Sequence, residues 1–162
     1  MTAATCSALT ECVRAPMTIT MKASTAALIA TIALAPPARA DDSGVFLSPS
    51  GNIICSMAAG PDAKTGATCE IRDHTYVPPE PTAPTCHLAR GDRVSLFQGS
   101  APVLNCHGDT EFGLAAGQPT LPYGQTRTVG TITCDSEPNG ITCTDDSTGH
   151  YFRISRESLD LG

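Results

Sequence analysis

Ile132-Thr133-Cys134-Asp135-Ser136-Glu137-Pro138-Asn139-Gly140-Ile141-Thr142-Cys143-Thr144 reads as a β-hairpin with a cysteine on each arm. Apolar or cysteine residues alternate with threonine on both sides of a proline and an Asn-Gly step. Alternation with period two is what a half-buried antiparallel pair needs, because successive strand side chains point to opposite faces. Pro138 and Asn139-Gly140 are suitable turn residues. A four-residue loop, Glu137 to Gly140, sets Cys134 opposite Cys143. Ile132, Cys134, Ile141 and Cys143 then share one face, and Thr131, Thr133, Thr142 and Thr144 take the other. The spacing predicts a disulfide across this hairpin.

The same construction fits Ile53-x-Cys55 with Cys69-x-Ile71. Its midpoint falls in Gly60-Pro61-Asp62-Ala63, so Ile53, Cys55, Cys69 and Ile71 face one way, and Ile54 and Glu70 the other. Cys86 and Cys106 are left to pair by elimination. Their midpoint, Leu96, lies in a strand-like run, Arg93 to Phe97, so this bond is not a simple hairpin clasp. The chain-entropy account gives each loop about 2.7–3.3 kcal/mol, roughly 9 together. That is a large share of the ~5–15 kcal/mol by which a domain is usually stable. With no tryptophan in the chain, the staples compensate for a thin core.

Cysteines also bind metals, and Cys86-His87 and Cys106-His107 repeat one step. Neighbours in an extended strand point apart, however, and no C-x-x-C or H-x-x-x-H spacing occurs. No metal and no cofactor is expected.

The N-terminal region reads as an export signal. Lys22 gives the positive start, Ala23 to Ala35 the apolar run, and Ala38-Arg39-Ala40 a small-x-small cleavage site. The expected organisation is an extension over 1–20, a signal peptide over 21–40, and a single mature domain over 41–162. Translation from Met17 or Met21 gives a signal of ordinary length, and on either reading Cys6 and Cys12 are absent from the mature protein. The apolar run is too short to span a bilayer comfortably, so no stable membrane insertion is expected after cleavage. Disulfides persist in oxidising surroundings, so the expected location is extracellular or the cell envelope.

Residues 41–162 carry seven Lys and Arg against fifteen Asp and Glu, a balance of −8. A nucleic-acid partner needs clustered cations, and this domain would repel the phosphate backbone. Anionic membrane surfaces are disfavoured for the same reason.

Outside the two hairpins, Gly44 to Leu47 reads as a first strand, and Val77 to Pro84 as a proline-rich extended crossover. Arg93 to Phe97 pairs with Pro102 to Cys106, and Gly108 to Gly124 is a long irregular loop. Arg127 to Cys134, Gly140 to Thr144 and His150 to Ser155 form a three-strand meander, with Ser158 to Gly162 a short strand or loose tail. The expected fold is therefore mainly β: a small antiparallel, disulfide-stapled domain with no substantial helix.

Several stretches together resemble a family of small actinobacterial secreted proteins of uncharacterised function. They are Phe46-x-Ser48-Pro49-Ser50-Gly51-Asn52-Ile53-x-Cys55, Cys69-Glu70-Ile71, Pro78-Pro79, Cys106-x-Gly108-Asp109-Thr110, Leu121-Pro122-Tyr123-Gly124-Gln125, Gly140-Ile141-Thr142-Cys143 and Gly149-His150-x-Phe152-x-Ile154-Ser155-Arg156. Tyr151 and Tyr76 depart from the residues more usual there, Gly and Trp. The resemblance implies export and a disulfide-bonded fold, and it transfers no activity, cofactor or catalytic residue.

Chemistry-bearing residues are few. There is no G-x-S-x-G elbow and no S-x-x-K. Tyr123, an aromatic on a Pro/Gly loop, suits carbohydrate or peptide contact. His150, Tyr151 and Asp109 complete the expected ligand surface, built from the 108–124 loop and the last strand. Ser50 and Asn52 sit in a turn that could face a ligand. The favoured reading is a non-enzymatic binding or structural module for an extracellular or cell-wall ligand. Two others compete: a small hydrolase using His150 with Asp109 or Glu111, and an inhibitor of a secreted enzyme presenting the 56–68 loop.

Overall fold

The structure, a computed structural model, describes residues 43–60, 62–79 and 86–162. The expected extension, signal segment and cleavage site lie outside these residues, as do Cys6, Cys12 and part of the proline-rich stretch.

The described residues form ten strands: β1 Gly44–Leu47, β2 Ile53–Ala59, β3 Thr65–Ile71, β4 Ala89–Phe97, β5 Val103–His107, β6 Thr126–Val129, β7 Ile132–Glu137, β8 Gly140–Asp145, β9 Tyr151–Ile154 and β10 Leu159–Leu161. A single 3-10 turn, Glu111–Leu114, interrupts the long connection after β5. Two five-stranded antiparallel sheets result, ordered β1-β2-β3-β4-β5 and β10-β9-β8-β7-β6. Each is a plain meander, with strands consecutive in the chain lying side by side.

The sheets pack through the faces that the alternation predicts. Ile53, Cys55, Met57, Cys69, Ile71, Val94 and Leu96 of the first meet Ile132, Cys134, Ile141, Cys143, Phe152 and Ile154 of the second in one buried cluster. Cys55 stands directly opposite Cys69, and Cys134 opposite Cys143. Both pairs are disulfide-bonded, with Cα separations of 4.1 and 4.0 Å. Such close approach belongs to the narrow, non-hydrogen-bonded pairs of an antiparallel ladder. Cys86 and Cys106 are also bonded, and this bond is not a hairpin clasp: Cys106 pairs in the ladder with Arg90.

Two hairpins differ from expectation. Glu137 pairs with Gly140, so the loop between β7 and β8 is Pro138-Asn139 alone, two residues and not four. Gly140 makes this possible at φ 140°, where a Cβ would lie 2.4 Å from the Ile154 carbonyl oxygen. The expected single strand Arg127 to Cys134 is also a hairpin, β6 and β7, turning at Gly130. Gly130 adopts φ 57°, and a Cβ there would meet Thr65 Cγ2 at 2.4 Å. Glycine alone relieves both constraints.

One buried carboxylate ties the sheets at one end. Asp145, at the end of β8, is fully buried. Its Oδ2 accepts from the Gly99 N–H (2.7 Å), in the β4–β5 turn, and from Thr148 Oγ1 (3.1 Å). Its Oδ1 accepts from Ser147 N–H (3.0 Å) and Ser147 Oγ (2.7 Å). Burial acts to raise its pKa, but the Gly99 and Ser147 hydrogen bonds outweigh that and hold the carboxyl well below the usual range.

The proline-rich crossover, where described, runs against β4. Arg90 Nη2 donates to the Pro79 carbonyl (2.6 Å), and the Pro78 ring occupies the space a side chain at Gly91 would need.

Candidate functional site

Turns from both sheets meet around a cleft of about 740 Å³. The first sheet contributes the β1–β2 turn, Ser48 and Ser50 to Ile53, and the chain leaving β3, Arg72 to His74. The second contributes Tyr123, the β7–β8 turn from Glu137 to Gly140, and Arg156-Glu157 after β9.

The walls are fixed by their own hydrogen bonds. In the Ser48 turn, Ser48 Oγ accepts from the Ile53 N–H (3.1 Å), and the Gly51 N–H donates to the Ser48 carbonyl (2.9 Å). Asn52 uses its whole amide on the neighbouring chain: Nδ2 donates to the Asp73 carbonyl (2.9 Å) and Oδ1 accepts from the Asp73 N–H (3.0 Å). His74 stacks on Tyr76 at 4.0 Å. The Arg156 carbonyl accepts from both Thr75 N–H (2.7 Å) and Thr75 Oγ1 (3.1 Å), so the turn after β9 is tied to the segment after β3.

Tyr123 is presented by a type II turn. The Gln125 N–H donates to the Pro122 carbonyl (3.1 Å), and Gly124 adopts the φ of 77° that position i+2 requires. Buried Ser136 on β7 anchors this turn three ways. Its carbonyl accepts from Gly124, its N–H donates to Gln125, and its Oγ donates to Leu121. Tyr123 is held 42 % exposed at the rim.

What the walls leave unused is polar. Among the described residues, the Tyr123 hydroxyl, the Arg156 guanidinium and the Asp73 and Glu157 carboxylates have no protein partner. Arg72 lies over the Phe112 ring at 4.2 Å with no carboxylate paired to it. With its amide turned so that both ends are satisfied, Asn139 donates its nitrogen to Glu137 Oε2 (3.3 Å) and accepts from Arg153 Nη2 at its oxygen (2.8 Å).

The other expected ligand residues lie elsewhere. Asp109 sits at the exposed edge of an ionic cluster on the first sheet whose buried members are Arg93 and Glu70. Arg93 Nε and Nη2 donate to Glu70 Oε2 (2.9 and 2.7 Å), while Nη1 reaches Asp109 Oδ1 (3.2 Å) and Glu111 Oε1 (3.9 Å). Burial opposes the charge of Arg93, and Glu70, Asp109 and Glu111 together outweigh it, so its pKa rises. Glu70 also accepts from Thr110 Oγ1 (2.5 Å) and the Glu111 N–H (2.9 Å), which pins the 109–111 segment. His107 adds a bridge between Asp92 Oδ1 (3.0 Å) and the Asp109 carbonyl (2.6 Å). The Asp109 side chain is 85 % exposed.

His150 follows the far end of β8, where its carbonyl accepts from the Asp145 N–H (2.8 Å) and its Nδ1 faces the Gly162 carbonyl (3.3 Å). Tyr151 begins β9 beside it and exchanges backbone hydrogen bonds with Gly162. β8 runs from Gly140 at the cleft to Asp145 next to His150, about 17 Å at the usual strand rise. Asp109 follows β5, beyond the strand end opposite the Gly99 turn that touches Asp145. β5 alone extends about 14 Å. His150 thus lies at the far end of the fold from the cleft, and Asp109 is not among the residues that line it.

Cys86 and Cys106 are spent on each other, so neither Cys-His step offers a thiolate. Among the described residues no group of three His, Cys, Asp or Glu side chains is placed to hold a metal ion, and no helix is long and apolar enough to cross a membrane.

A model for a family of unknown function, DUF6636, matches residues 26–161. The chain belongs to the DUF6636 family. That match spans all ten strands and every residue of the cleft. No curated protein and no solved structure matches this DUF6636 chain.

Only part of the cleft of this DUF6636 domain is legible in its sequence. Tyr123, Ser50 and Asn52 stand out as turn residues. Arg72, Asp73, His74 and Glu157 do not, and nothing local says that the exit from β3 comes to lie beside the β7–β8 turn. The one usable signal is an indirect one. The Ser48–Asn52, Leu121–Gln125 and Ser155-Arg156 stretches carry the resemblance, and all three reach the same recess.

Proposed function

We propose that the protein is an exported, non-enzymatic binding module of the cell envelope or exterior, within a secreted actinobacterial family, and that its ligand site is the cleft at Tyr123. One observation carries this reading: two walls held rigid by internal hydrogen bonds leave an aromatic ring and several charged groups facing the recess without partners. Pre-organised groups of this kind lose little freedom on binding. The three disulfides suit an oxidising location.

The hydrolase reading needs His150 within hydrogen-bond reach of Asp109 or Glu111. His150 instead faces Gly162, and both acids face Arg93. The inhibitor reading needs a projecting loop at 56–68. Most of that stretch is ladder, from Ala59 paired with Thr65 down to Ser56 paired with Thr68. Both therefore rank below a binding module.

The test is co-sedimentation of the oxidised protein with washed cell-envelope and culture fractions. The wild type is expected in the pellet. Tyr123→Ala and Arg156→Gln are each expected to lower retention about tenfold, the effect of losing one binding anchor. Tyr151→Ala is expected to leave it unchanged. Retention insensitive to the cleft variants, or lost with Tyr151→Ala, would contradict the assignment.

A further inference from the structure

We propose that the cleft takes a neutral oligosaccharide, with a sugar ring stacked on Tyr123 and its hydroxyls shared between the facing guanidinium and carboxylate groups. This rests on the cleft being the ligand site and goes on to name what fills it.

The lining carries two guanidinium groups, Arg72 and Arg156, and three carboxylates, Asp73, Glu137 and Glu157. An anionic ligand would meet all three carboxylates in a domain already at −8. A cationic one would meet both guanidiniums. An apolar one would strip water from charges that gain nothing in return. A neutral polyhydroxylated chain suits the mixture. Vicinal hydroxyls donate to a planar carboxylate and accept from a planar guanidinium, so both signs contribute hydrogen bonds without net repulsion.

A peptide fits less well. Peptide recognition draws on an open strand edge, an apolar groove or a dense basic cluster. The cleft is walled by turns, and Glu137 and Gly140 in its lining are already paired with each other. What faces the ligand is side-chain donors and acceptors with one exposed aromatic ring. Tyr123 is rigid enough to serve as a platform, since Ser136 fixes its turn at three points. An amphipathic ring of this kind offers its face to the C–H side of a sugar and its hydroxyl to a hydrogen bond.

The experiment is a ¹⁵N–¹H NMR titration of the oxidised, exported protein with cellotetraose, tetra-N-acetylchitotetraose and mannotetraose. Tetragalacturonate and a neutral tetrapeptide are the comparisons. At least one neutral sugar should give saturable shifts confined to the amides of 50–53, 72–74, 123–125, 137–140 and 156–157. Tyr123→Ala and Arg156→Gln should each weaken that binding about tenfold, with spectra unchanged away from the cleft. Tyr123→Phe should weaken it less than Tyr123→Ala. Tetragalacturonate or the peptide binding as tightly as the best neutral sugar would overturn the proposal. So would shifts at another surface, or no shifts with any neutral sugar. If the sugars fail while cleft-dependent sedimentation with envelope persists, only the ligand class falls. If both fail, the site assignment falls with it.

Discussion

Cys69 Sγ lies 3.9 Å from Cys143 Sγ, so the disulfide of one sheet rests against the disulfide of the other at the centre of the core. Each bond staples its own hairpin, and together they form the middle of the inter-sheet packing. Sulfur here supplies core volume as well as cross-links, which suits a domain without tryptophan.

Replacing Cys55 and Cys69 together by alanine is therefore expected to cost about 2–4 kcal/mol, and so is replacing Cys134 and Cys143. Because the two bonds touch, the costs should not add. Denaturant unfolding of both double variants and of the quadruple variant should give a coupling of about 0.5–3 kcal/mol. Strict additivity would mean that the contact contributes nothing to packing.

Burial sets an order of reduction. Cys55, Cys69, Cys134 and Cys143 are fully buried, whereas Cys106 is exposed and Cys86 partly so. Attack by an external thiolate depends on access. Limited treatment with a thiol reductant, followed by alkylation and peptide mapping, should label Cys86 and Cys106 before any other pair. Equal labelling of all six would indicate global opening as the route.

Asp145 makes stability depend on acid. An unfolded aspartate titrates near ~3.9, and the folded carboxyl lies well below that. Protonation therefore favours the unfolded chain, and the stabilisation is complete above the unfolded value and lost as pH falls through it toward the folded one. Asp145→Asn should cost about 2–3 kcal/mol at neutral pH, as for hydrogen bonds to a charged group. It should also flatten the loss of stability below about pH 4. An unchanged acid profile in Asp145→Asn would place the acid sensitivity elsewhere.

Among the described residues, Arg93 is the cation that neutralises the Glu70 carboxylate. Glu70 is buried, and Arg93→Ala would leave it uncompensated, at a cost of about 3–5 kcal/mol. The loss should be felt first in the 109–111 segment, which hangs on Glu70. Amide exchange in Arg93→Ala should rise at Glu111 more than at β7 or β8. The paired change Glu70→Gln with Arg93→Met should recover much of the loss, since no charge is then stranded.

The stapled hairpins were legible because Cys134 and Cys143, like Cys55 and Cys69, sit on period-two runs with turn residues at their midpoints, and a register error of one would turn the whole apolar set outward. Cys86–Cys106 was reached by elimination alone, since nothing local pairs them. The β6–β7 hairpin was not legible. Gly130 is its only local break in an otherwise strand-like run, and what demands glycine there is Thr65, a residue on the other sheet. The candidate site divides in the same way. Tyr123 is visible as an aromatic in a Pro/Gly turn. Arg72 and Arg156 become neighbours of that turn only through cross-chain bonds such as Asn52 to Asp73 and Thr75 to Arg156. Asp109 looked like an available acid because its partner, Arg93, reaches it across a β-bulge on β4.

Hydrogen–deuterium exchange of the oxidised protein with and without solubilised envelope material locates the ligand surface. New protection is expected at 48–53, 72–74, 121–125 and 137–140, with no change at 107–111 or 150–153. Protection centred on His150 and Tyr151, or on the Asp109 segment, with the cleft unaffected, would rule out the cleft as the binding site.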